Sequence, residues 1–221
     1  MDVDFSPIVD NWRFFASGFG VTVLLSVISA VTSILAGLVI ALLRLYGPRW
    51  LSKLLVFYVD TMRAIPILVV LVWIYFAFPL LAGVTFPPFW AALVGLTLHI
   101  AAYASEIIRA GIESIRPGQT RAGLALGMSR AQILRKIILP QATIRMLPAF
   151  GSVLTMAIKD TAIATVIAVP ELMHRAETVA GQSYRPVEVF TAVMVLYFLV
   201  LFPVTRVVDR LYHKLAHLGR S

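Results

Sequence analysis

Two oppositely charged side chains stand where charge is expensive. Lys159 and Asp160, followed by Thr161, lie in an otherwise apolar run between Arg145 and Glu171. If that run crosses a bilayer, they fall near its midplane, where each charge costs roughly 3 kcal/mol. Such a pair needs partners or a water-filled cavity. Consecutive helical residues are about 100° apart and do not face each other, so mutual pairing is poor unless the helix breaks. Membrane transporters break helices at mid-depth to present backbone and charge to a solute, and the Ala- and Thr-rich run after Thr161 suits a break. Asp160 can accept from an ammonium, Lys159 can face a carboxylate and Thr161 offers a neutral hydroxyl, a set suited to a zwitterion. The competing reading is a structural ion pair with another helix or subunit. His99 falls at similar depth in another apolar run and is a candidate neighbour of the same cavity, or a packed core histidine.

Covalent chemistry has little support. There is no GxxxxGK[ST], and no lysine follows a glycine, so the chain cannot itself be a P-loop ATPase. HExxH and GxSxG are absent. The four histidines lie in different segments and there is no cysteine, which excludes disulfides and thiolate metal sites.

The second candidate site is a basic stretch, Gly118 to Pro140, GQTRAGLALGMSRAQILRKIILP. It reads as two short helices meeting at a glycine, the shape of a docking element. Ser129 with Gln132 three residues later fits a capping box. From there Ile133, Leu134, Ile137 and Ile138 share one face, with Gln132, Arg135 and Lys136 opposite. Pro140 is expected to stop the helix, and Gly127 to make a sharp or left-handed turn. Gly123 and Gly127 form a GxxxG, read here as turn chemistry because charged residues surround it. An ordinary amphipathic helix on the membrane surface is the plainer alternative.

The elements that must hold these sites are membrane-like. Hydrophobic residues make up 60% of the 221, and mean hydropathy is +0.89. Phe14 to Leu43 carries no charged side chain, about 45 Å of helix against a hydrocarbon core of roughly 30 Å. That length, and the acidic start MDVDFSPIVD, speak against a cleaved signal peptide. Further spans are expected over Leu54–Leu81, Phe89 to about Arg109, Ala142–Pro170 and Val187 to about Val208, with no β-barrel alternation. The expected architecture is an all-α integral membrane bundle of five helices. It divides into an extracytoplasmic segment 1–13, a membrane domain 14–210 and a cytoplasmic tail 211–221. Fifteen of the nineteen Lys and Arg residues fall on one side of these spans, which places the N-terminus outside and the C-terminus and basic loop in the cytoplasm. Topology thus accounts for the net charge of +8, and nucleic-acid binding has no separate support. Glu106 is expected to pair with Arg109 on the next turn, and Arg63 to anchor at the interface.

The loop resembles the EAA loop of permease subunits of bacterial ABC importers, E-A-A-x3-G-x9-I-x-L-P. Ala122, Gly127, Ile137, Leu139 and Pro140 match it with every spacing kept. The flanking AYASEIIRAGIESIRPGQ (102–119), MRAIP (62–66) and IKDTAIATVIAVPEL (158–172) are similar to the polar amino-acid uptake subgroup. The resemblance implies a type I ABC importer fold in the cytoplasmic (inner) membrane, five spans and an outside N-terminus. It implies a cytoplasmic ABC ATPase dimer as partner, a second permease (the same chain or a paralogue) and an extracytoplasmic solute-binding protein. The substrate would be a polar amino acid. ATP and Mg would be bound by the ATPase, leaving this chain without a cofactor and without catalysis. Two positions depart: the family Glu is Arg121 and its second Ala is Gly123. The reversed charge implies an acidic counterpart on the ATPase, or a second permease that keeps the Glu. The alternative function is a stand-alone secondary transporter or channel with Lys159 and Asp160 as a charge relay.

Overall fold

The computed structural model describes residues 4–216; residues 1–3 and 217–221, the extremities of the expected N-terminal segment and C-terminal tail, lie outside the described residues, His217 and Arg220 with them. Every regular element described is helical. Short α1 (Ser6–Asp10) leads into α2 (Trp12–Tyr46). Then come α3 (Arg49–Ala64) and α4 (Ile67–Ala82), α5 (Pro88–Glu113), α6 (Pro117–Ala125), α7 (Arg130–Ile167), α8 (Leu172–Ser183) and α9 (Pro186–Ala216). Helices α2, α5, α7 and α9 are each long and apolar enough to cross a membrane, and the bent pair α3–α4 makes a fifth candidate. The five-helix expectation holds with that pair counted once.

The second span corrects the sequence reading. Instead of one helix over Leu54–Leu81, the chain turns by 108° between α3 and α4. Pro66 has no N–H to donate and pushes the preceding residue into extended backbone, and Ile65 sits at φ −89°, ψ 132°. Helix α3 carries Arg49, Lys53, Asp60 and Arg63, so it gains little from leaving the interface, whereas α4 has no charge at all. A second correction concerns Pro140, which does not stop a helix. A π turn over Leu134–Ile138 widens the chain just before it, Leu139 N–H reaches back to Leu134 O, and helical backbone continues through Pro140 and Pro148 to Asp160.

Small side chains let α2 lie against α5. Ser26, Ala30, Ser33, Gly37 and Ala41 form a buried stripe at helical spacing, and a Cβ on Gly37 would come within 2.7 Å of Ala104 Cβ. In lipid, association depends on such close approach. Three buried clusters follow along the bundle. One joins Phe15 to Leu172, Val179 and Val193. The middle one joins Leu25 to Leu71, Leu96, Val153 and Ile167. The last joins Ala41 to Ile108, Ile112, Ile133 and Met146, beneath the basic loop.

Candidate functional site

The basic loop is built as two helices with an ordered corner. Pro117 opens α6, where a missing N–H costs nothing. At its end Gly127 takes φ +74°, its N–H donating to Leu124 O (3.0 Å), while Met128 N–H donates to Gly123 O (3.0 Å). This pair of bonds is the Schellman termination, and it requires a left-handed residue at position 127. Ser129 then caps α7: Gln132 N–H donates to Ser129 Oγ (3.3 Å), and Ser129 N–H donates to Gln132 Oε1 (2.8 Å). Both expectations for Gly127 and Ser129 therefore hold. Gly123 differs: it is buried inside α6, and a Cβ there would meet Ile133 Cγ1 at 2.7 Å. Its role is close packing of the two helices rather than turning.

Ile133 and Ile138 point inward onto Ile108, Ile112 and Met146, with Leu134 and Leu139 packed beside them. Ile137 is half-buried and closes on Gly123, whereas Pro140 is exposed. Arg121, Ala122, Arg130, Arg135 and Lys136 face outward. So do Leu124 (49% exposed) and Leu126 (80%), an apolar tip among cations that the sequence reading passed over. Two anchors hold the base. Arg145 Nη1 donates to Ser114 O (2.6 Å), joining both ends of the loop. Glu106 accepts from Arg109, as expected, and also from Arg44 of α2 (2.8 Å), a partner 62 residues away that periodicity cannot reveal.

At the far end of α7 the expected break is present. Regular α-helix stops at Asp160, a 3₁₀ segment covers Thr161–Ile167, and Ala168 turns left-handed at φ 58°. Lys159 is exposed and Asp160 half-buried. Among the described residues neither makes an ion pair or side-chain hydrogen bond; each is the other's charged neighbour. Thr161 is fully enclosed, and its hydroxyl donates to Ile158 O (2.7 Å). His99 is buried on α5, its enclosed Nδ1 without a partner among the described residues and its ring 5.4 Å from that of Tyr103. The start of α4 packs on the 3₁₀ segment, Ile67, Val70 and Leu71 joining Ala164 and Ile167 in one core. The two helix breaks thus meet.

The turn after the break is clamped by Glu171, which caps α8 by accepting from Met173 N–H (2.8 Å) and His174 N–H (2.7 Å). Thr22 of α2 accepts from Leu172 N–H at 3.0 Å. Burial pushes the Glu171 carboxyl up to about 7, against the lowering effect of the two amide donors.

A single long helical run therefore joins the docking-shaped basic corner to the charge pair at the helix break. Residues 33–217 match the family described as the binding-protein-dependent transport system inner membrane component. The chain belongs to that family. It is the permease component of an ABC importer, and ATP hydrolysis lies in a separate subunit. The chain is 36% identical over 202 residues to the arginine transport system permease protein ArtQ of Bacillus subtilis (strain 168), covering 91% of this chain and 92% of that protein. It is 32% identical over 216 residues to the glutamine transport system permease protein GlnP of Escherichia coli (strain K12), covering 97% and 99%. Among solved structures, an amino acid ABC transporter superposes with TM-score 0.90 at 31% identity, over 97% of this chain and all of that one. The MetNI methionine ABC transporter in an inward-facing conformation superposes with TM-score 0.80 at 21% identity, over 93% and 97%, a likeness of fold. The type I importer fold follows, and a stand-alone ion-driven transporter is not favoured.

Proposed function

We propose that this permease carries a polar amino acid across the cytoplasmic (inner) membrane, with its N-terminus outside and its C-terminus in the cytoplasm. The observation that carries the reading is the unpaired Lys159 and Asp160 at the end of the helix that begins in the basic loop. Leaving both charges unmatched at mid-depth is costly, and a zwitterionic solute offers the missing ammonium and carboxylate. The names of the relatives, arginine and glutamine permeases, agree with that class. Thr161 backs the pair, its hydroxyl proton committed to Ile158 O, and in this reading His99 of α5 is a neighbour of the same translocation path.

In the same reading the loop 118–140 seats on a pair of cytoplasmic ABC ATPases, which bind ATP and Mg. Leu124 and Leu126 are the apolar knobs, with Arg121 and Ala122 beside them and Gly123, Gly127, Ile137, Leu139 and Pro140 shaping the corner. A second permease, the same chain or a paralogue, completes the membrane pore, and a soluble solute-binding protein delivers the substrate. Purified complex in proteoliposomes is expected to import the amino acid only with ATP inside the compartment that holds the ATPase. Import driven by an ion gradient without ATP would refute the reading and restore the charge-relay alternative.

A further inference from the structure

Tyr184 occupies a position that a protein chain ordinarily gives to glycine or asparagine. It terminates α8 in the left-handed region, at φ 57° and ψ 28°, which a side chain with a Cβ disfavours. Its ring is 89% exposed. Among the described residues it makes no hydrogen bond, ion pair or ring contact. Among the described residues no polar or ring contact of its side chain therefore offsets the strained backbone.

The ground around it is polar and tied down. Arg185, the next residue, pairs with Asp4 (3.8 Å) and Glu188 (3.2 Å), and Asp4 N–H donates to Glu188 Oε1 (3.4 Å). Asp4 in turn accepts from Ser6 N–H (2.8 Å) and Ser6 Oγ (2.9 Å). These bonds fix α1, the end of α8 and the start of α9 to one another. Gln182 and Ser183, immediately before the tyrosine, line an open cleft of about 260 Å³ together with Ser6, Asp10 and Asn11 of the N-terminal segment.

We propose that Tyr184 and this adjoining cleft form the seat on which the soluble solute-binding protein docks. The inference rests on the importer reading above, which puts this end of the bundle outside the cell. A large, exposed ring with two side-chain torsions, held on a fixed base and without a hydrogen bond or ring contact among the described residues, suits the anchor of a protein interface. The cleft beside it carries the Asp10 carboxylate and the Gln182 amide, so it takes a lysine or arginine side chain of the partner. An aromatic belt residue facing lipid headgroups is the competing role. That role needs no left-handed backbone, because a ring at an ordinary helical position serves it equally well.

The test uses the full importer in proteoliposomes, with ATPase rate followed against the concentration of its solute-binding protein, solute saturating. Tyr184→Ala keeps the strained backbone and loses the ring; Tyr184→Gly relieves the backbone and loses the ring; Tyr184→Phe keeps the ring. The half-saturating concentration is expected to rise at least tenfold for Ala and Gly alike, with assembly unaltered, and to stay within twofold for Phe. Glycine behaving as wild type would overturn the proposal. So would a fall in assembled complex for Ala and Gly at an unchanged half-saturating concentration, the signature of a membrane anchor. A wild-type complex that no binding protein stimulates would overturn the importer reading, and this seat with it.

Discussion

Gly127 isolates a backbone effect from a packing effect. At φ +74° it has nothing within 4 Å of where a Cβ would stand, so any substitution there meets open space. The whole penalty is conformational. A non-glycine residue in the left-handed region costs roughly 1–2 kcal/mol; asparagine is tolerated better, and a β-branched residue worse. An energy of that size shifts an equilibrium by a factor of about 5–30, here against the corner and toward a chain that loses the Met128-to-Gly123 and Gly127-to-Leu124 bonds. In the reconstituted importer, amino acid imported per ATP hydrolysed is expected to be near wild type for Gly127→Asn. It should fall about fivefold for Gly127→Ala and at least tenfold for Gly127→Val, with equal amounts of permease in the membrane. A different ranking, with valine coupling as well as asparagine, would refute the claim that this turn transmits the ATPase stroke.

Three further expectations concern the other charged positions. Asp160→Asn keeps the shape of the helix end and removes its charge; transport and solute-stimulated ATPase activity should drop more than tenfold while protein abundance holds, and a loss of abundance instead would mark Asp160 as a structural anchor. Arg121→Glu, tested by co-purification, should release ATPase if the partner surface is acidic, and undiminished assembly would remove that idea. The Glu171 carboxyl is held near 7, above its unfolded value of about 4.5, so the folded protein binds the extra proton and stability should decline as pH rises from about 4.5 to 7. In detergent, the difference in Tm between pH 5 and pH 8 should shrink in Glu171→Gln; an equal difference in both proteins would show that another group sets the slope.

Local signals in the sequence were legible where the physics is local. Ser129 and Gln132 cap a helix through bonds three residues apart, Gly127 turns left-handed, and the break follows Asp160, each readable from a few neighbours. Pro140 misled because proline's cost depends on what precedes it. The π turn at Leu134–Ile138 leaves room that a regular helix would not, and no side chain in it announces the widening. Pro66 was the reverse case: one apolar stretch looked continuous, yet the charges of α3 and the fixed φ of a single proline send its halves 108° apart. Gly123 and the Arg44–Glu106 pair were hidden for another reason. Both owe their meaning to residues brought in by folding, Ile133 across the corner and a glutamate 62 positions away. Leu126 is exposed by shape alone, at a tip that composition cannot locate.

The run from Ser129 to Asp160 also works as a clock hand. Because helical backbone is unbroken between the Gly127 corner and the charge pair, the azimuth at which Asp160 points is set by the number of residues between them. One residue inserted or deleted between Leu139 and Asp160 swings that carboxylate by about 100° about the axis, whereas seven advance it by nearly two full turns and leave it only about 20° from its start. Length in this segment is thus bound to phase. A substitution at either end leaves that phase untouched, but the distance between them can change only in steps that bring the hand back to the same hour.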